Sequence, residues 1–412
     1  MNLVYNFSLY FAYFLLKIIA LFNKKINLFI EGRKNSFSKL KTISKEDKVI
    51  WFHAASLGEF EQGRPIIEKI RKDYPDYKII LTFFSPSGYE IRKDYPLVDI
   101  VCYLPFDTRA NMQRFIQQIH PKMSIIIKYE FWPNLLDQLK KQNVPTILIS
   151  GIFRKKQLFF KWYGTFFKNK LQAFDHFFLQ NKTSKNLLQS IGFQNITLNG
   201  DTRFDRVYTI LKQDNTIEAI AKFKNNNYTL VAGSTWPEDE KLLVYYINNF
   251  AKKDEKFIIA PHTINPYSIG TLRKQLRKKT ILFSESQGVD LEEFQILIID
   301  NIGMLTKIYS YADVAYVGGG LATGLHNILE PATYGVPIVF GGKKYKNFQE
   351  AKDLLRQRSV TIVTDKEEIC NTFVTIKTDF ELRKTMGIGN QNYIKHNLGA
   401  TEKIFHYLKN IL

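Results

Sequence analysis

The chain has 412 residues, 45% hydrophobic and 24% charged, with a net charge of +19 and a pI near 9.5. That length favours two domains over one core, and the apolar content excludes wholesale disorder. The two cysteines, Cys102 and Cys370, stand far apart in apolar runs, which excludes a disulfide framework or zinc spacing and fits a reducing compartment.

Residues 2–22 are almost continuously apolar. About 20 residues cross a bilayer as a helix, so the run suffices for a span. Asn6, Ser8 and Lys17 also fit an amphipathic helix lying in the interface. No basic residue precedes the run and no small-residue cleavage site follows it, which argues against a removed signal peptide. Lys24 and Lys25 follow at once, so the positive-inside rule places the rest of the chain in the cytoplasm. The basic linker 24–45 suits an anionic headgroup region. The net charge fits a membrane face or a phosphorylated substrate. Nucleic acid is not expected as a partner, because no recognised binding module is visible.

From 48 to about 212, short β-branched runs alternate with amphipathic segments. Strands are predicted at 49–52, 78–84, 100–104, 124–128, 146–150, 176–179 and 196–198. A second cycle predicts strands at 229–232, 256–260, 280–283, 296–299, 313–317, 337–340 and 360–363, then a helical segment at 382–411. Such alternation means βαβ units and mainly parallel, doubly wound sheets. The fold class is therefore α/β, with two Rossmann-like domains facing a cleft. The expected division is a membrane anchor over 1–25, an N-terminal domain over 26–212 and a C-terminal domain over 213–390. A last helix over 391–412 is expected to pack back on the N-terminal domain.

Four stretches at predicted strand ends carry chemistry. In His53-Ala54-Ala55-Ser56-Leu57-Gly58-Glu59, a small-residue turn leads into a helix with a carboxylate at the junction. Strand C-termini followed by helix N-termini hold ligands in open α/β sheets and favour anions. Glu59 can cap that helix or act on a substrate, and the local pattern leaves both open; Ser56 and Gly58 shape the turn. In Lys128-Tyr129-Glu130-Phe131-Trp132-Pro133, the charges either pair with each other or face a crevice. Gly233-Ser234-Thr235-Trp236-Pro237-Glu238, with Pro261-His262-Thr263, reads as a glycine turn entering a helix that can cradle phosphate. Gly318-Gly319-Gly320, Gly324 and His326-Asn327-Ile328-Leu329-Glu330-Pro331 form the fourth. There, glycines let a ligand approach the backbone, and Asn327 and Glu330 share one face of a helix's first turn. A carboxylate so placed accepts bonds from ribose hydroxyls, while the same pair can also serve as a cap.

Taken together, HAASLGEFEQ (53–62), KYEFWPN (128–134), GDTRFD (200–205), GSTWPEDE (233–240), APH (260–262), ADVAYVGGG (312–320) and HNILEPATYGVPIVFG (326–341) resemble the GT-B glycosyltransferases that transfer 3-deoxy-D-manno-octulosonic acid (Kdo). The resemblance implies a CMP-Kdo donor and a lipid A precursor, lipid IVA, as acceptor, with inversion at the sugar and neither metal nor cofactor. It implies Glu59 as general base, Glu130 as transition-state stabiliser and Arg203 as a cation for the departing phosphate. Ser56, Gly58, Lys128 and Arg154 would lie on the acceptor side. Pro261, His262, Ile302, Gly303, Met304, Asn327, Ile328, Leu329 and Glu330 would surround the nucleotide. The expected location is the inner membrane, with the catalytic domains on its cytoplasmic side. Two positions depart from the family: Arg203 replaces a usual lysine, changing a point charge to a planar fork, and Met304 replaces a frequent acidic residue. The aromatic and basic run 153–170 reads as a helix resting on an anionic membrane near the acceptor. The alternative is a GT-B enzyme using a UDP-sugar and a lipid-linked acceptor, which fold alone does not separate.

Overall fold

The apolar runs become parallel strands because both faces of each sheet are covered. Successive side chains of a strand point to opposite sides. Val49 and Trp51 enter one core with Ile80, Ile126 and Leu148, whereas Ile50, Phe52 and Ala54 enter another with Ile79, Ile125 and Ile149. A strand buried on both faces has no polar alternation, which is why these segments read as continuous hydrophobic runs.

The computed structural model describes residues 2–412 as two compact units. The first runs to Arg206 and takes in Leu398–Leu412; the second is Val207–Asn397. The first unit holds β1 (Lys48–Ala54), β2 (Tyr77–Phe83), β3 (Ile100–Tyr103), β4 (Met123–Ile127), β5 (Thr146–Gly151), β6 (His176–Leu179) and β7 (Ile196–Leu198), in the order β3-β2-β1-β4-β5-β6-β7. The second holds β8 (Tyr228–Thr235), β9 (Glu255–Pro261), β10 (Thr280–Leu282), β11 (Ile296–Ile298), β12 (Val314–Val317), β13 (Ile338–Gly341) and β14 (Val360–Val363), in the order β10-β11-β9-β8-β12-β13-β14. Every pairing is parallel. Strand order reverses between β1 and β4 in one sheet and between β8 and β12 in the other. Ligands of open α/β sheets bind at such reversals, beyond the strands' carboxyl ends.

Three segments differ from their sequence reading. The basic stretch 24–45 is not a linker but a helix, Lys24–Lys34, followed by a short one, Ser36–Lys39. Arg33 fastens it, with its guanidinium donating to the carbonyls of Phe29 (2.7 Å) and Phe84 (2.6 Å) and lying 3.6 Å over the Phe29 ring. The run 153–170 is not one helix. It makes a 3-10 turn at Leu158–Phe160 and a short helix at Thr165–Lys170. Gly164 permits the fold-back, since a Cβ there would stand 1.7 Å from the carbonyl oxygen of Leu158. The closing segment is two helices, Phe380–His396 and Ala400–Leu408, broken at Gly399 with φ +96°. The second of them puts Ile404, Phe405 and Leu408 into the core of the first unit, beside Ile66, Ile67 and Ile70.

The N-terminal helix, Asn2–Ala20, is long and apolar enough to cross a membrane. It is docked on the first unit along its length: Tyr5 Oη donates to Asp107 (2.8 Å), Asn6 Oδ1 accepts from Asn134 Nδ2 (2.9 Å), Tyr13 packs on Phe106 (4.9 Å between rings) and Ala20 is buried. The opposite side, including Leu3, Phe7, Phe11, Phe14 and Ile18, is exposed. Contiguous exposed apolar surface of this kind marks an interaction site.

Candidate active site

At the reversal in the first sheet, β1 delivers His53 and then the start of the helix Leu57–Asp73. Glu59 is 3% exposed, and its Oε2 accepts from the backbone N–H of Ala55 at 2.5 Å. Ser56 occupies the N-cap position but makes no side-chain capping bond. Gly58 has negative φ and open space where a Cβ would stand, so the turn does not require its glycine. The helix start is thus closed by Glu59 itself. Burial is the main reason its carboxyl titrates above the usual carboxylate range, and the charge of Glu130 is the next.

The β4 end supplies the second carboxylate. The strand stops at Ile127, and Lys128 takes a left-handed φ of +73°, a strained conformation for a residue with a side chain. Glu130 is 7% exposed; its Oε2 accepts from Trp132 Nε1 (2.8 Å) and lies 3.4 Å from His53 Nε2. The other ring nitrogen of His53 meets Thr82 Oγ1 at 2.9 Å. No Lys128–Glu130 ion pair forms among the described residues. Burial pulls the Lys128 ammonium below its ordinary range, and the charge of Glu59 opposes that shift while Arg203 and Arg154 add to it. Arg203 is anchored by Asp201, which accepts from its Nε (2.9 Å) and its backbone N–H (2.9 Å). Two carboxylates and three cations therefore gather at one switch point. A cavity of about 380 Å³ opens beside Glu130, lined by Trp132, Leu158, Phe159, Phe167 and Lys156 among others.

At the reversal in the second sheet, β8 runs on to Thr235 with Ser234 at φ +54°, so Gly233 lies within the strand rather than in a turn. Trp236 then stacks on His262 (4.8 Å, 18°), and its Nε1 donates to His326 Nε2 (3.0 Å). The two imidazoles lie 4.5 Å apart. Burial lowers both; for His326, with His262 adding to the effect, the value falls to about 4, so both rings are neutral at pH 7. Asp239 ties this end together by accepting from Trp236 N (3.0 Å), Gly319 N (2.8 Å) and Tyr316 Oη (2.8 Å). Asp239→Ala leaves three buried donors unpaired. It should destabilise the protein by roughly 3 kcal/mol in urea unfolding, the cost of stranded polar groups, while Asp239→Asn should lose less.

The triple glycine serves packing within the protein. A Cβ on Gly318 would stand 2.3 Å from Ser234 O, and one on Gly320 would stand 2.0 Å from Gly341 O. The expectation that these glycines open the backbone to a ligand is thereby replaced by close contact between the ends of β8, β12 and β13. Asn327 also differs from its reading: the helix is Leu329–Thr333 with Ile328 in the cap position, because Pro331 sets a short first turn. Asn327 still accepts from Leu329 N (3.1 Å) and donates to Glu330 Oε1 (3.0 Å), while Thr306 Oγ1 donates to Glu330 Oε2 (2.9 Å). Ile328 and Leu329 are 1% and 0% exposed, so only their backbone can meet a ligand. Pro261 is half-buried, His262 and Gly303 are exposed, Ile302 is 89% exposed, and Met304 Sδ accepts from Asn301 Nδ2 (2.9 Å).

The family model for 3-deoxy-D-manno-octulosonic-acid transferase (kdotransferase) matches residues 31–206. The 3-deoxy-D-manno-octulosonic acid transferase of Chlamydia trachomatis serovar A is 25% identical over 395 residues, which covers 92% of this chain and 90% of that protein. Over nearly its whole length the chain is thus similar to Kdo transferases, and the family model falls on its first unit. The chain is a glycosyltransferase, and its two parallel seven-stranded sheets are the GT-B architecture. Among solved structures, UDP-GlcNAc 2-epimerase from Neisseria meningitidis bound to UDP-GlcNAc has a TM-score of 0.61 at 16% identity, covering 88% of this chain and 100% of that one. MurG from Acinetobacter baumannii has a TM-score of 0.55 at 11% identity, covering 88% of this chain and 99% of that one. At these identities the likeness concerns the fold alone.

Several residues stand beside the expected ones without having been singled out: His53, Trp132, Asp201, Trp236, Asp239, Thr306 and His326. All but Thr306 lie inside the motifs. What the motif could not say is which members face outward and which hold the others.

Proposed function

We propose that this glycosyltransferase moves Kdo from CMP-Kdo to a lipid A precursor, lipid IVA, in lipopolysaccharide synthesis, with inversion at the sugar and Glu59 as general base. The observation that carries the proposal is the buried Glu59 carboxylate beside Glu130 at the first sheet's switch point, with Lys128, Arg154 and Arg203 around it. A carboxylate whose pKa is raised by burial is a stronger base than a solvated one. Glu59 takes the proton of the acceptor's sugar hydroxyl, and the oxygen attacks the anomeric carbon. The bond from that carbon to the CMP phosphate breaks, and CMP leaves with the electron pair. Glu130, fixed by Trp132, stabilises positive charge developing on the sugar. Arg203 provides fixed positive charge for phosphate, oriented by Asp201.

For the donor, Glu330 suits the ribose hydroxyls, and Pro261, His262 and the 302–304 loop suit the nucleotide. The aromatic cavity beside Glu130, with Lys156 at its edge, suits a phosphorylated, acylated acceptor. The exposed apolar side of the helix Asn2–Ala20 fits attachment to the inner membrane from the cytoplasmic side. Nucleotide titration tests the donor assignment. CMP is expected to bind and UDP to compete poorly; tight UDP binding with no response to CMP would sink the CMP-Kdo reading in favour of a UDP-sugar enzyme.

A further inference from the structure

A polar cavity of about 220 Å³ lies where the start of the helix Asn2–Ala20 meets the helix Pro133–Lys141. We propose that it binds the phosphate of an anionic phospholipid headgroup. Arg109 and Lys141 line it, both exposed and without an ion-pair partner among the described residues. The one carboxylate in the wall, Asp137, is already answered by Lys170 at 2.6 Å, so the two remaining cations leave the cavity net positive. Gln138 is 5% exposed, lines the cavity, and makes no hydrogen bond with its amide among the described residues. That amide, without a protein partner on the cavity wall, is available to a polar ligand. Two helices start here, the 19-residue Asn2–Ala20 and the 11-residue Arg109–Ile119, and their positive ends add to the field.

The neighbouring surface decides the source of the phosphate. Leu3, Val4 and Phe7 of the same helix are 86%, 63% and 74% exposed. A phosphate carried on acyl chains satisfies this apolar surface together with the cavity, whereas free phosphate satisfies the cavity alone. The inference rests on the reading of this helix as membrane-bound.

Sedimentation of the full chain with phosphatidylcholine vesicles, with and without phosphatidylglycerol, tests it. Wild type is expected to bind both, and the anionic vesicles more tightly. The double variant Arg109→Glu, Lys141→Glu is expected to lose about tenfold in affinity for anionic vesicles, at about 1 kcal/mol or less per basic residue, and to bind neutral vesicles as wild type does. Gln138→Leu, close in shape, should lose a few-fold on the anionic vesicles alone without lowering the melting temperature. Lys274→Glu, Lys384→Glu makes the same change in net charge elsewhere and should bind normally. An equal loss in that control pair would overturn the site in favour of diffuse charge. So would titration with inorganic phosphate showing binding that the first double variant abolishes while its vesicle affinity stays unchanged. Failure of wild type to bind neutral vesicles as well as anionic ones would overturn the membrane reading itself.

Discussion

The Glu59→Gln variant is expected to fold, to bind CMP as wild type does, and to lose transfer by about 10²-fold or more. The substitution separates two roles that the sequence leaves superimposed. As a cap, Glu59 works by accepting the Ala55 N–H at 2.5 Å. The carbonyl oxygen of a glutamine at this position can accept the same bond, so the helix Leu57–Asp73 keeps its start. As a base, Glu59 works by holding a proton taken from the acceptor, and a neutral amide cannot do that. A cap therefore predicts near-normal turnover, whereas a base predicts its loss with the melting temperature unchanged. Transfer under single-turnover conditions, with CMP affinity and thermal melting measured on the same preparation, distinguishes them.

The second large effect is expected from Glu130→Gln. Its charge is the next contributor, after burial, to the raised titration of Glu59. Protonated Glu59 cannot act as base, so in the wild type transfer should fail on the acid side at a pH above the ordinary carboxylate range. Removing the Glu130 charge lowers the Glu59 pKa, so this acid limb should move to lower pH. The maximal rate should fall all the same, by roughly 10-fold to 10²-fold, because one preorganised charge for the transition state is gone. A pH profile of kcat/KM for both proteins reads the two effects separately. A lower maximum with an unmoved acid limb would mean that the two carboxylates do not share a field. An acid limb moved upward would contradict the assignment of Glu59 as base.

The sheets were legible because burial on both faces turns each strand into an apolar run. The fourteen strands expected from the sequence all form, within three residues at their ends. The helices are less faithful, because what breaks them is local geometry set by distant contact. Gly164 ends the aromatic run by turning onto Leu158, and Gly399 splits the last segment. The candidate sites were legible as motifs at strand ends but not as interactions. Lys128 and Glu130 could pair or face a crevice, and Glu130 is instead held by Trp132, with His53 Nε2 3.4 Å away. The glycines at 318–320 looked like a ligand cradle, yet their tightness comes from Ser234 and Gly341. The bond from Tyr5 to Asp107 joins residues 102 apart in sequence, which no periodicity can report. Asp107, whose carboxyl burial pushes up to about 7, also accepts from the backbone N–H groups of Asn134 and Leu135. The N-terminal helix is thus tied to the segment that carries Glu130.

Mass spectrometry of the product tests the central claim most directly. The full chain is incubated with CMP-Kdo and a tetra-acyl lipid A precursor, and the lipid is then weighed. The expected product is an acceptor heavier by one or more Kdo residues, with CMP released in equal number. An unchanged acceptor from CMP-Kdo, together with a sugar added from a UDP donor, would contradict it.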